Sequence, residues 1–210
     1  MPFGVEIAFF ILAKLSQFCH FLFAISYRQG KAKWTARFAT TRLQSRAPWE
    51  QKRTIIGMIK SPVEGNSIVL LKLDQPILFS DFARPICIPE DDDFVPDLNH
   101  CVTLGWSLES EQLAKTYVNP TDKEICEEIS EVSPNTICTK EDTAPGIPCS
   151  GEEFAGAPLM CQHMESWFLV GIGAWRKGCS TVGKRPRLYD RVAVNSQWAD
   201  KVMLKLNQVQ

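Results

Sequence analysis

No two of the eight cysteines stand at the C-x-x-C spacing of tetrahedral zinc sites, and Cys161 with His163 offers too few ligands alone. Disulfides in an oxidising compartment are the better expectation. No acceptor for N-linked sugar is present, because Asn119-Pro120-Thr121 carries the forbidden proline. Internal repeats and low-complexity tracts are missing, and no nucleic-acid motif accompanies the basic residues, so neither nucleic acid nor a cofactor is expected as a ligand. A clean targeting segment is lacking too. Ile7 to Ala13, "IAFFILA", has the apolar core of a signal peptide, but Glu6 precedes it and no basic residue does. Extended to Tyr27 the stretch is long enough to span a bilayer, yet Lys14, Gln17 and His20 would lie within it at a cost. Cleaved leader, membrane anchor and folded strands all stay open for residues 1–27.

What is present is a globular composition. The chain has 210 residues and is 45% apolar, enough for a real core. Thirteen prolines, twelve glycines and short apolar runs bounded by turn residues predict many strands and few helices. Residues 67–73, "SIVLLKL", read as a buried strand that ends at Asp74-Gln75-Pro76. "CVTLGW" (101–106), "WFLVGIGAW" (167–175) and "LYDRVAV" (188–194) read as three more. The last segment is the one convincing helix, with Ser196 as its N-cap and Trp198, Val202 and Leu206 on one face.

The net charge of −1 conceals an asymmetry: residues 28–60 hold nine basic groups against Glu50 alone, a local net of +8. Such a segment attracts polyanions; solvated loops and strand faces are the plainer account. Glu90 to Asp93 form an acidic loop that balances it.

Taken in order, the blocks resemble the trypsin-like (chymotrypsin-fold) serine protease family. "GNSIVLLKLDQPI", "ARPICIPE", "CVTLGW", "CSGEEFAGAPLMC", "LVGIGAWRKGC", "RPRLYDRV" and "NSQWADKVM" each look like a block of that family, over roughly residues 31–205. The resemblance implies an all-β fold of two antiparallel β-barrels with a cleft between them and a C-terminal helix. Residues 1–30 form a separate apolar segment on this reading, and 31–210 form the protease-like domain, with the second barrel at roughly 100–195 and the helix at 196–207. The opening strands of the usual first barrel are expected to be absent, with "GVEIAFFILAKLSQF" serving as a degenerate inner strand pair. The first barrel is therefore expected to be incomplete, and the second to be the stable part.

The same resemblance places the chemistry. Proteolysis of this kind needs a serine oxygen, a histidine to take its proton and an aspartate to orient that histidine. The serine position falls on Ala155, whose methyl cannot attack a carbonyl. Removing such a nucleophile costs about a millionfold in turnover in a subtilisin. The aspartate position falls on Ser67, neutral and short. His20 lies 47 residues before Ser67 and is the candidate histidine, with its order relative to Cys19 inverted; the bland alternative is an incidental polar residue. Phe154 replaces the acid that would receive a new N-terminus, and Glu152 and Glu153 resemble an insertion that displaces Gly151 from its oxyanion role. The substrate pocket is altered as well: Ile147 stands at its base, and Arg176 and Arg187 stand where glycines line its walls. Either these two cations fill or cap the slot, or they point to solvent.

By resemblance Cys101 pairs with Cys161, Cys126 with Cys138 and Cys149 with Cys179. Cys87 is free, paired with Cys19, or linked to another chain. The expected protein is thus an inactive protease homologue, secreted or membrane-anchored, acting through an unidentified protein partner. Two other readings remain: a hydrolase with a displaced nucleophile, Ser150 being the nearest, and a shortened product with no independent role.

Overall fold

The computed structural model describes residues 6–7, 12–13, 19–25, 34–44, 46–90, 100–106, 112–127, 132–141, 156–173 and 187–207. Thirteen strands and two α-helices lie among them. The first half holds β1 (Glu6–Ile7), β2 (Leu12–Ala13), β3 (Cys19–Ile25), β4 (Thr35–Phe38), β5 (Gln51–Lys60), β6 (Ile68–Ile77) and β7 (Pro85–Ile86). The second holds β8 (Cys101–Trp106), β9 (Leu113–Thr121), α1 (Lys123–Glu127), β10 (Thr136–Glu141), β11 (Pro158–His163), β12 (Ser166–Gly173), β13 (Arg187–Arg191) and α2 (Ser196–Asn207). The expected all-β class holds: β8 to β13 close into a barrel in the order β10-β13-β12-β11-β8-β9, while the first half forms a seven-stranded sheet, β1-β4-β5-β6-β3-β2-β7. The first sheet is not closed among the described residues.

β6 explains the packing of the whole. Successive side chains of a strand point to opposite faces, and on β6 both faces are buried, which is why its sequence is a continuous apolar run rather than an alternation. Val69, Leu71 and Leu73 pack with Ala36, Phe38 and Ile77 inside the first half. Ile68 and Leu70 point the other way, onto Leu169, Ile172, Val192, Ala199 and Met203 of the second. Polar groups join the halves beside this contact. Asn66 Nδ2 donates to the Arg191 carbonyl, Ser61 Oγ to Asn195 Oδ1, and the Ser67 amide to Asp190 Oδ2. Around the rim, Leu113 N bonds to Thr41 O, and Cys87 exchanges backbone bonds with Trp167 and Leu169.

Three sequence boundaries shift. β6 runs on through Asp74-Gln75-Pro76 to Ile77, because Asp74 Oδ1 accepts from the amides of Thr54 and Gln75 and keeps the chain extended. The strand expected over 188–194 ends at Arg191, and the chain tightens into a 3-10 turn, Ala193–Asn195, that leads straight into α2. Ser196 is accordingly in helical conformation and does not cap; its hydroxyl donates to the Pro89 carbonyl. The face of α2 turned inward is centred on Ala199 and Met203, with Trp198 and Val202 flanking it.

In the first half a buried ion pair fixes the loop before β5. Arg37 forms a two-pronged contact with Glu50, Nε to Oε1 and Nη2 to Oε2, both at 2.8 Å, and also donates to the Leu43 carbonyl. In the second, Cys101–Cys161 joins β8 to β11 and Cys126–Cys138 ties α1 to β10. Both are the pairings that the resemblance implies. Cys149 and Cys179 lie outside the described residues, and Cys87 forms no disulfide.

Candidate functional site

Ser67 and Asp190 meet where the two halves pack, and strand register locates two further segments. Ser67 immediately precedes β6, and its amide is held by a carboxylate from β13, Asp190, at 2.7 Å. β3 lies antiparallel to β6 with Ile25 opposite Ile68, so the Ile25 end of β3 is the end nearest Ser67. Gly156 and Ala157 enter β11 from the motif loop, with Gly156 N bonded to Gly173 O and Gly173 N to Ala157 O. Gly156 has φ of 89°, a left-handed conformation that glycine adopts without penalty. Ala155, Phe154, Glu152, Glu153, Gly151, Ser150, Ile147 and Arg176 lie outside the described residues.

The chain has three histidines, and strand register locates each. His20 sits at the far end of β3, beside Cys19, which faces Ile77. It stands five positions before Ile25, roughly 16 Å along a strand. The ladder therefore does not bring His20 and Ser67 together, and the residues that follow Ile25 in sequence are Ser26, Tyr27 and Arg28. His163 ends β11, opposite Ser166, so the length of that strand, roughly 17 Å or more, lies between it and Gly156. Its ring meets Phe168 edge-on at 6.2 Å. His100, which is exposed, precedes β8 on the same far side, where its carbonyl accepts from Gln162 N.

The acid at the junction is the residue that sequence reading missed. Asp190 is 0% exposed and stands in the middle of "LYDRV", where a charge interrupts an apolar strand. That interruption was the available signal. Its carboxylate accepts from the Ser67 amide, so a carboxyl group supplied from the other barrel lies beside Ser67.

Arg187 belongs to the barrel interior. It is 2% exposed, which rules out the solvent-pointing alternative for this cation. Tyr189, on the same strand face, is fully buried; burial pushes its phenol above the ordinary range, opposed by the neighbouring Thr103, Arg187 and Thr139. Among the described residues no group of His, Cys, Asp and Glu is placed to hold a metal ion.

A closed antiparallel barrel packed against the β6 face of a second sheet that is not closed among the described residues, with a helix at the seam, fits the class of serine-protease-like proteins of the chymotrypsin fold. The family model described as Trypsin matches residues 26–199, and the chain belongs to that family.

Proposed function

We propose that this chain is a catalytically inactive trypsin-family member that works by binding another protein in the extracellular space. The observation that carries the reading is strand register: the β3–β6 ladder sets His20 at the end of β3 away from Ser67, and His163, with His100 beside it, lies at the end of β11 away from Gly156. Proton transfer needs a base within hydrogen-bond reach of the attacking atom. The sequence supports the same conclusion, since the resemblance puts a methyl at Ala155, a short neutral hydroxyl at Ser67 and an aromatic ring at Phe154.

The disulfides and the family membership fit an extracellular protein, and among the described residues no helix is long and apolar enough to cross a membrane. Cys87, half-buried and without a disulfide in this chain, is the candidate for a covalent link to a partner. A polyanion contact through 28–60 would rest on Arg42, Arg46 and Lys60, which are exposed, because Arg37 and Lys52 pair with Glu50 and Arg53 donates to the Pro76 carbonyl.

The test is direct. Purified protein is incubated with peptide libraries and with a serine-reactive fluorophosphonate. Neither cleavage nor labelling is expected. Labelling abolished by Ser150→Ala would replace this reading with that of a hydrolase whose nucleophile has moved. Sequencing the N-terminus of secreted material separates a cleaved leader from an anchor.

A further inference from the structure

Four of the ten large apolar side chains that are exposed among the described residues come from two short segments that touch: Trp49, and Leu78, Phe79 and Phe82. Each is between 41% and 65% exposed. The Trp49 and Phe82 rings lie stacked, 4.3 Å between centroids and 12° from parallel. Hydrogen bonds keep the group in place. The Gln51 side-chain amide donates to the Leu78 carbonyl at 2.7 Å, and its oxygen accepts from Leu78 N at 2.9 Å. Ser80 and Ala83 exchange backbone bonds, and Phe82 N donates to Ser80 Oγ, so the turn that presents Phe79 and Phe82 is already ordered. At its tip Asp81 Oδ1 accepts from Arg84 Nη2 at 2.6 Å, with both side chains mostly in water.

We infer that this patch is the contact between two copies of the chain, related by a twofold axis that sets Asp81 of one protomer against Arg84 of its partner, and the reverse. Half-exposed rings offer roughly 100 Å² each, so the four side chains present about 400 Å² of apolar surface, a patch of the size that is often functional. Two such faces with their polar margins bury about 1,000 to 1,200 Å², the low end for a specific interface, which makes the dimer reversible. The charges select the occupant. A twofold contact requires a surface that complements itself, and one acid with one base on the same turn meets that condition. Anionic lipid would instead meet a carboxylate standing between two phenylalanines, with no net positive charge on residues 78–84 to offset it. The pair within the chain is exposed and worth little, so exchanging it for two pairs between chains costs little. Rings that are already ordered also lose little freedom on contact. The contact stands whether or not the cleft is active.

Sedimentation velocity of the full chain, from about 1 to 300 µM, should show a reversible monomer–dimer equilibrium with a micromolar Kd. Phe82→Asp, with native near-UV circular dichroism, should weaken it by about thirtyfold or more, the scale of losing a central aromatic. Asp81→Arg and Arg84→Asp should each weaken self-association, and an equimolar mixture of the two should associate again. Only pairing between chains predicts that rescue, since neither variant can form the pair within itself. A chain that stays monomeric throughout overturns the proposal, as does a dimer indifferent to Phe82→Asp or a mixture that fails to recover. Non-reducing electrophoresis scores any link through Cys87 separately, and a dimer that is wholly covalent overturns the proposal. So does a wild-type chain that binds phosphatidylserine vesicles through Phe82 while remaining monomeric in solution. Fluorophosphonate labelling would bear on the cleft alone and leave sedimentation to judge the dimer.

Discussion

Asp190 Oδ2 accepts a hydrogen bond from the Ser67 amide at 2.7 Å, across the junction of the two halves and 123 residues apart in sequence. The carboxylate is 0% exposed, so removing it leaves a donor that water reaches poorly. Asp190→Ala should destabilise the protein by about 1–3 kcal/mol, the cost of orphaning a buried polar group. Asp190→Asn keeps an acceptor oxygen and should cost less. Denaturant melts of the two variants check the order; equal losses would show that shape, not the hydrogen bond, is what the position supplies.

Restoring the nucleophile alone should restore nothing. Triad members act as a unit, so that lacking the base costs about as much as lacking everything. On the proposed reading, with His20 registered at the end of β3 away from Ser67, Ala155→Ser should stay at the wild-type baseline in peptide-cleavage assays and remain unlabelled by fluorophosphonate. Cleavage well above that baseline would place a base in the cleft.

Acid should loosen the loop before β5 first. Hydrogen bonds from Arg37 hold the Glu50 carboxyl below its usual range, against the opposing effect of burial. A carboxyl with a depressed folded-state pKa stabilises fully above its unfolded value, here 4.5, and the contribution fades as pH falls through the folded value. Amide protection factors at residues 46–50, after correction for the intrinsic rate, should therefore fall below pH 4.5 in wild type. Glu50→Gln should destabilise by about 3 kcal/mol, as expected for breaking a buried pair, and should lose that acid dependence.

The two disulfides should contribute unequally. Cys101–Cys161 closes 60 residues and Cys126–Cys138 closes 12. The chain-entropy estimate gives about 4 and 3 kcal/mol respectively. Double alanine replacements at each pair, compared by thermal melts, check the ranking.

How much of this was legible in the sequence depends on how local each signal is. The apolar run of β6 announced a strand buried on both sides, because burial on two faces removes alternation from the sequence itself. The disulfide pairs Cys101–Cys161 and Cys126–Cys138 followed from motif order. His20 was harder: its spacing from Ser67 matches a known frame, but spacing along the chain does not fix register. The ladder that pairs Ile25 with Ile68 carries His20 to the opposite end. Arg187 could be placed on a strand, yet which way its side chain turned required the barrel to be closed around it. Asp190 was visible as an acid within "LYDRV", but a backbone amide it engages, that of Ser67, leaves no mark in the sequence.

β6 has a further consequence. Ile68 and Leu70 are the cover over Leu169, Ile172 and Met203, and those residues are the floor beneath β6. A fragment containing only the closed barrel and α2 would expose that oily underside to water, so the barrel's own ring of strands does not make it self-sufficient. Neither half can be cut away without stripping its neighbour bare.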